Sequence, residues 1–212
     1  MFEEIRHELE IGNAAGVKEL VVKLLEESVL PKRILEEGLV SGMDLIGAKF
    51  RKNEVFIPEV MIAAKAMHAG LDVLNPHLAK SGVKPAGRIL IGTVKGDLHD
   101  IGKNIVGMMF RGAGFEVVDC GIDVSPKSFV EALEKEAFDI VAMSSLLTTS
   151  MPFMDETLKL LKSEGLDLKV RTMVGGAPVT QDFAERIGAS GYASDASQAV
   201  DKARELLGIV RV

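Results

Sequence analysis

Residues 96–104 read Gly96-Asp97-Leu98-His99-Asp100-Ile101-Gly102-Lys103-Asn104 and follow closely on an apolar run, Arg88-Ile89-Leu90-Ile91-Gly92-Thr93-Val94. A histidine two positions after an aspartate and three before a glycine, in the turn between a strand and a helix, reads as a metal ligand whose orientation a carboxylate fixes. In a parallel sheet, that turn lies at the edge where ligands bind. Two further turns follow later apolar runs. Ser144-Ser145-Leu146-Leu147-Thr148-Thr149-Ser150 is rich in hydroxyl donors, and Gly175-Gly176-Ala177-Pro178 lets backbone come close to a ligand. Together they describe a site for something large and polar, with a metal at one end.

The elements that must position these turns are legible in the periodicity. Strand candidates lie at 88–94, 115–120, 138–144 and 169–174, with a short one near 190–193. Between them are amphipathic segments at about 101–113, 126–137, 151–164, 180–187 and 195–207. Buried, Val/Ile-rich strands alternating with helices predict a parallel sheet covered on both faces. The expected fold is therefore α/β, with a flavodoxin-like five-stranded domain over residues 88–212. Residues 1–82 read as all-helical. Val60, Ala64, Met67, Leu71, Leu74 and Leu78 recur at steps of four and three, a single helical stripe, and Pro58 suits its first turn. One earlier helix carries Val17, Leu20, Val21, Leu24 and Leu25, another starts near Pro31 with Leu35, Leu39, Ile46 and Phe50, and a short one opens the chain near 2–10. Four helices predict a bundle, joined to the α/β domain by a breaker-rich linker at 83–87.

Bulk properties narrow the function. The 212 residues are 47% hydrophobic with a net charge of −6, which fits a packed core and argues against a nucleic-acid partner. No apolar run approaches the ~20 residues of a bilayer span, and Met1–His7 lack the apolar segment of a signal peptide, so a cytoplasmic location without a membrane partner is expected. The single Cys120 excludes an internal disulfide and a cysteine-cluster zinc site.

Asp97, His99 and Gly102, then Ser144 and Leu146, then Gly175 and Gly176 reproduce in order the Asp-x-His-x-x-Gly, Ser-x-Leu and Gly-Gly signature of proteins that bind cobalamin with its own base displaced and a histidine on cobalt. With a helical domain in front and Phe56-Ile57-Pro58-Glu59-Val60 opening its last helix, the chain resembles the cobalamin module of cobalamin-dependent methionine synthase. It is even more similar to the corrinoid proteins of anaerobic methyltransferase systems, over essentially its whole length. The resemblance implies His99 as the lower axial cobalt ligand and Asp97 as the acceptor for its other ring nitrogen. It implies Ser150 as the hydroxyl on that aspartate, and Ser144 and Thr148 at the buried nucleotide tail. Gly102, Gly175 and Gly176 would line the tail slot, and Asp100 and Ile101 would complete the contact set. Thr149 departs from methionine synthase, which has proline there. In function the resemblance implies a carrier with base-off/His-on cobalamin. It would accept a methyl group on Co(I) from a substrate-specific methyltransferase and donate it to a second methyltransferase with a tetrahydrofolate or thiol acceptor. A reductive activation protein would be a third partner. Phe50, Val55, Phe56 and Met61 would be contacts of an apolar lid.

Other readings compete. The cobalamin subunit of an adenosylcobalamin-dependent mutase shares the binding motif, but its radical site comes from a barrel subunit rather than a helical cap. A light-responsive regulator would carry a basic DNA-binding region and a cap tryptophan, and this chain has no Trp. A cofactor-free response regulator would cluster acidic residues after its first strand. Locally, the 144–150 run could simply cap the helix near Met151, and Gly175-Gly176 could be only a tight turn.

Overall fold

The computed structural model describes residues 1–209, so the last three residues of the expected 88–212 domain lie outside the described residues. The chain forms two compact units, Met1–Pro85 with Arg111–Gly114, and Ala86–Phe110 with Phe115 onward.

The first unit contains α1 (Phe2–Glu10), α2 (Ala14–Glu26), α3 (Pro31–Arg33), a π-helical stretch Ile34–Val40, α4 (Ser41–Arg51) and α5 (Ile57–Lys80). The backbone stays right-handed helical through Arg33 and Ser41, so α3, the π stretch and α4 form one rod and the unit has four. The ends are set by side chains. Asn13 Oδ1 accepts the Gly16 amide at 3.1 Å to start α2, and Glu59 Oε2 accepts the Phe56 amide at 3.0 Å where Pro58 opens α5. Of the expected α5 stripe, Val60, Ala64, Met67, Leu74 and Leu78 are buried and Leu71 is half-buried. The third rod differs in one respect from the periodic reading. Its first buried apolar residue is Ile34, with Leu35 half-buried. The next buried apolar side chain is Leu39, five positions on and beside the buried Gly38, an interval that the extra residue of a π turn accommodates.

The second unit is a parallel five-stranded sheet of β1 (Arg88–Thr93), β2 (Glu116–Asp119), β3 (Ile140–Ser144), β4 (Arg171–Gly175) and β5 (Gly191–Ala193), in the order β2-β1-β3-β4-β5. The crossover helices are α6 (Ile101–Gly112), α7 (Pro126–Lys135), α8 (Pro152–Ser163) and α9 (Gln181–Ile187), and α10 (Ala196–Leu206) follows β5. Leu90, Val141, Met143 and Val174 on one sheet face form a core with Phe129, Met154, Leu158 and Phe183. Their neighbours Ile89, Ile91, Ile140, Ala142 and Met173 alternate to the opposite face and are also buried. Burial of each large side chain contributes about 1.5–3 kcal/mol, and burial on both faces explains why the strands read as continuous apolar runs. The α/β fold with a helical region ahead of it is the one the sequence implies. Among the described residues no helix is long and apolar enough to cross a membrane.

The strand order fixes where a ligand can sit. From β1 the chain steps outward to β2, then returns to place β3 on the other side of β1. The reversal opens a crevice beyond the carboxyl ends of β1 and β3, flanked by the two loops that carry Asp97, His99 and the hydroxyl run.

Candidate functional site

Asp97 is the node of this crevice. Its side chain is fully buried, whereas that of His99, two residues on, is 53% exposed. Asp97 Oδ1 lies 2.7 Å from His99 Nδ1 and accepts the His99 amide at 3.0 Å. Oδ2 accepts the amides of Leu146 at 2.5 Å and Leu147 at 3.3 Å, and the Ser150 hydroxyl at 3.2 Å. One carboxylate thus ties the loop after β1 to the loop after β3. Burial alone would raise the Asp97 pKa, but the His99 and Leu146 amides, the His99 ring and the Ser150 hydroxyl outweigh it and hold the carboxyl at about 2. Asp97 is therefore anionic at neutral pH and calls for the Nδ1–H tautomer of His99. That leaves the Nε2 lone pair of this half-exposed ring with no hydrogen-bond partner among the described residues.

The other motif residues gather around this node. Leu98 (68% exposed) and Ile101 (71%) stand in the loop after β1, and Leu146 and Leu147 stand opposite in the loop after β3, also exposed. With Ile122 after β2 they give an apolar rim at the sheet edge. Asp100 is exposed, and its Oδ2 accepts Asn104 Nδ2 at 3.0 Å. Ser144, half-buried at the end of β3, and Thr148, exposed, have side-chain hydroxyls with no hydrogen bond among the described residues. Gly175 ends β4, and its carbonyl accepts the Ser145 amide at 3.1 Å. Gly176 has φ +127°, and a Cβ there would sit 1.8 Å from the Ser145 carbonyl oxygen. The tight turn is present too, with the Val179 amide on the Gly176 carbonyl at 2.9 Å. A Cβ at Gly102 would meet nothing within 4 Å, so no packing inside the protein demands glycine there.

The helix-capping alternative for the hydroxyl run does not describe Ser150. The N-cap of α8 is Met151, which makes no side-chain cap, while the Ser150 hydroxyl lies 2.7 Å from Ser145 Oγ and bonds Asp97. Ser145 and Thr93 escaped the sequence reading. Thr93 is fully buried and its Oγ1 donates to the His99 carbonyl at 2.9 Å. A hydroxyl closing an otherwise apolar strand was the available signal.

Among the described residues no three His, Cys, Asp or Glu side chains gather to hold a free metal ion. A single half-exposed imidazole suits a metal whose other ligands arrive with a macrocycle, the apolar rim suits the macrocycle itself, and the open space over Gly102 leaves room for a group hanging from it. Nearby, burial pushes the Cys120 thiol pKa up, Asp119 adds to the rise and Lys103 opposes it, which keeps the sulfur protonated and a poor competing ligand. In the helical unit Phe56 and Met61 are exposed, as are Leu45, Ile57 and Ile62, while Phe50 and Val55 are half-buried.

The family described as B12 binding domain matches residues 87–201, and a second family of the same description matches residues 1–75. Dimethylamine corrinoid protein 2 of Methanosarcina acetivorans is 44% identical over 209 residues, covering 97% of each chain. The crystal structure of a cobalamin-binding protein from Desulfitobacterium hafniense superposes with a TM-score of 0.81 at 31% identity, over 97% of this chain and 98% of that one. The methanol:cobalamin methyltransferase complex of Methanosarcina barkeri gives a TM-score of 0.85 at 29% identity, over 99% of this chain and 80% of that one. With both of its units matched and relatives aligned end to end, the chain belongs to the corrinoid protein family built on the B12 binding domain.

Proposed function

We propose that this chain is a methyl carrier that holds a corrinoid base-off, with His99 on cobalt. It receives the methyl group from a substrate-specific methyltransferase and delivers it to an acceptor methyltransferase, and a reductive activation protein restores it after oxidation. The relatives' names, a dimethylamine corrinoid protein and a methanol:cobalamin complex, support a small methylated compound as the donor. No observation favours the mutase alternative. When bound, the corrinoid supplies a cobalt centre that takes up and hands on a methyl group.

The observation that carries this reading is the Asp97–His99 pair at 2.7 Å, on a half-exposed ring in the loop beside the sheet's switch point. Nε2 is the ligand atom. Asp97 would accept the hydrogen bond from Nδ1 and so leave the Nε2 lone pair free for the metal. Leu98, Ile101, Leu146 and Leu147 offer apolar side chains against which the corrin face would pack. Ser144, Thr148, Gly102, Gly175 and Gly176, with Asp100 at the loop, receive the displaced nucleotide tail. Phe56, Ile57 and Met61 of the helical unit offer an apolar surface suited to shielding a methyl group from water.

The test is spectroscopic. The protein is reconstituted with methylcobalamin and its absorption compared with that of His99→Ala. The wild type is expected to give the histidine-ligated spectrum and the variant a base-off spectrum without histidine; identical spectra would overturn the assignment. A second variant separates cofactor space from packing. Gly102→Ala is expected to leave the apo-protein as stable as wild type or up to about 1 kcal/mol more stable, because Ala is the better helix former. It should weaken corrinoid uptake roughly tenfold, through the Cβ placed in the tail slot. Unchanged uptake by titration would remove Gly102 from the site.

A further inference from the structure

Asp123 lies in the loop after β2, outside every motif discussed above. Its backbone is left-handed, with φ 53°, a conformation that Asp and Asn tolerate better than most residues. That conformation lets one residue make two bonds to the neighbouring loop. Asp123 Oδ1 accepts the Gly96 amide at 2.7 Å, and the Asp123 amide donates to the Asp97 carbonyl at 3.0 Å. The lacing continues on either side, with the Thr93 amide on the Gly121 carbonyl at 3.0 Å and the Val124 amide on the Thr93 carbonyl at 2.9 Å. The brace is itself anchored. Buried Lys103 of α6 pairs with Asp119 Oδ2, and Asp119 Oδ1 accepts the Gly121 amide at 2.8 Å.

Asp97 is thus gripped twice. The loop after β3 holds its carboxylate, and the loop after β2 holds its backbone. With only the first grip, the carboxylate and, through Thr93, the His99 carbonyl would be held, while the Gly96–Asp97 backbone leading into them could shift and tilt the imidazole. We propose that Asp123 is a positioning residue for His99: through Gly96 and Asp97 it sets the height and tilt at which Nε2 meets the metal. It touches no ligand itself. The proposal rests on the reading of His99 as the cobalt ligand.

Asp123→Ala would add backbone strain, so the test uses Asp123→Gly, which keeps the left-handed backbone and deletes the carboxylate, and Asp123→Asn, which keeps an acceptor at Oδ1. Two readouts are taken on the full chain, with His99→Ala alongside. In the apo-protein, hydrogen exchange at the Gly96 amide is expected to quicken about tenfold in Asp123→Gly and to stay near wild type in Asp123→Asn. With methylcobalamin, Asp123→Gly is expected to give a mixture of histidine-ligated and unligated spectra and about tenfold weaker binding, and Asp123→Asn to restore both. Wild-type exchange in Asp123→Gly overturns the proposal, as does faster exchange with a wild-type spectrum, or an Asp123→Asn as impaired as Asp123→Gly. A wild-type spectrum in His99→Ala overturns the ligand reading and this proposal with it. A changed His99→Ala spectrum beside an unchanged Asp123→Gly spectrum overturns this proposal alone.

Discussion

Asp97→Ala is expected to destabilise the apo-protein by about 3–5 kcal/mol and to weaken corrinoid binding roughly a hundredfold. The variant removes the acceptor for the amides of His99, Leu146 and Leu147 and for the Ser150 hydroxyl in one step. Each buried donor left without a partner costs about 1–3 kcal/mol, and water entering through the His99 opening offsets part of the sum. His99 also loses the group that selects its tautomer. Urea denaturation and a corrinoid titration check the two effects, and wild-type stability would mean that the carboxylate does not tie the loops. The pH dependence follows with a definite sign. The Asp97 carboxyl titrates at about 2 in the folded protein, below its ordinary 3.8. Its stabilising contribution is therefore complete above pH 4 and is lost as the pH falls from there towards 2, by about 2 kcal/mol. Asp97→Asn removes the titrating group, so the apo wild type should lose that much more stability than the variant across this window.

Gly176→Ala is expected to cost about 3–4 kcal/mol and to abolish corrinoid uptake at concentrations that saturate the wild type. The new Cβ would lie 1.8 Å from the Ser145 carbonyl oxygen and 2.8 Å from its carbon. Both are backbone atoms, so no flexible side chain can swing aside. The φ of +127° adds strain of its own, because L-residues rarely adopt it. The loop after β3 must move, and with it Ser145, Ser150 and the amides that hold Asp97. Thermal unfolding of the apo-protein gives the first quantity and a cobalamin titration the second. Gly102→Ala is the paired control, since that glycine faces open space and Gly176 faces backbone.

The central strands were legible because both of their faces are buried. Apolar runs expected at 88–94 and 138–144 are strands at Arg88–Thr93 and Ile140–Ser144, and even the short run near 190–193 is a strand, Gly191–Ala193. The third helical rod was legible in extent and in its buried Leu39 and Ile46, while at its start the buried position is Ile34 rather than Leu35, where a π turn changes the period. In the crevice, Asp97 and His99 were legible from spacing alone, since two residues place carboxylate and ring side by side. Ser150 stands 53 residues beyond Asp97, and only the family resemblance linked the two. Thr93, Ser145 and Asp123 were not legible. Each meets a backbone group, the His99 and Leu147 carbonyls and the Gly96 amide, and residue types carry no information about which backbone a hydroxyl or carboxylate will meet.

The bonds from the loop after β3 to the Asp97 carboxylate span 49 to 53 residues of chain, and they have a consequence for the order of folding. None of them can form until β1 and β3 lie side by side, and closing so long a loop is among the slower events available to a chain of this kind. During synthesis, the histidine emerges well before the segment that disciplines it. Until those strands pair, only the local Asp97 contact can steer the imidazole, so the final setting of the ring is decided by an event some fifty residues of chain away.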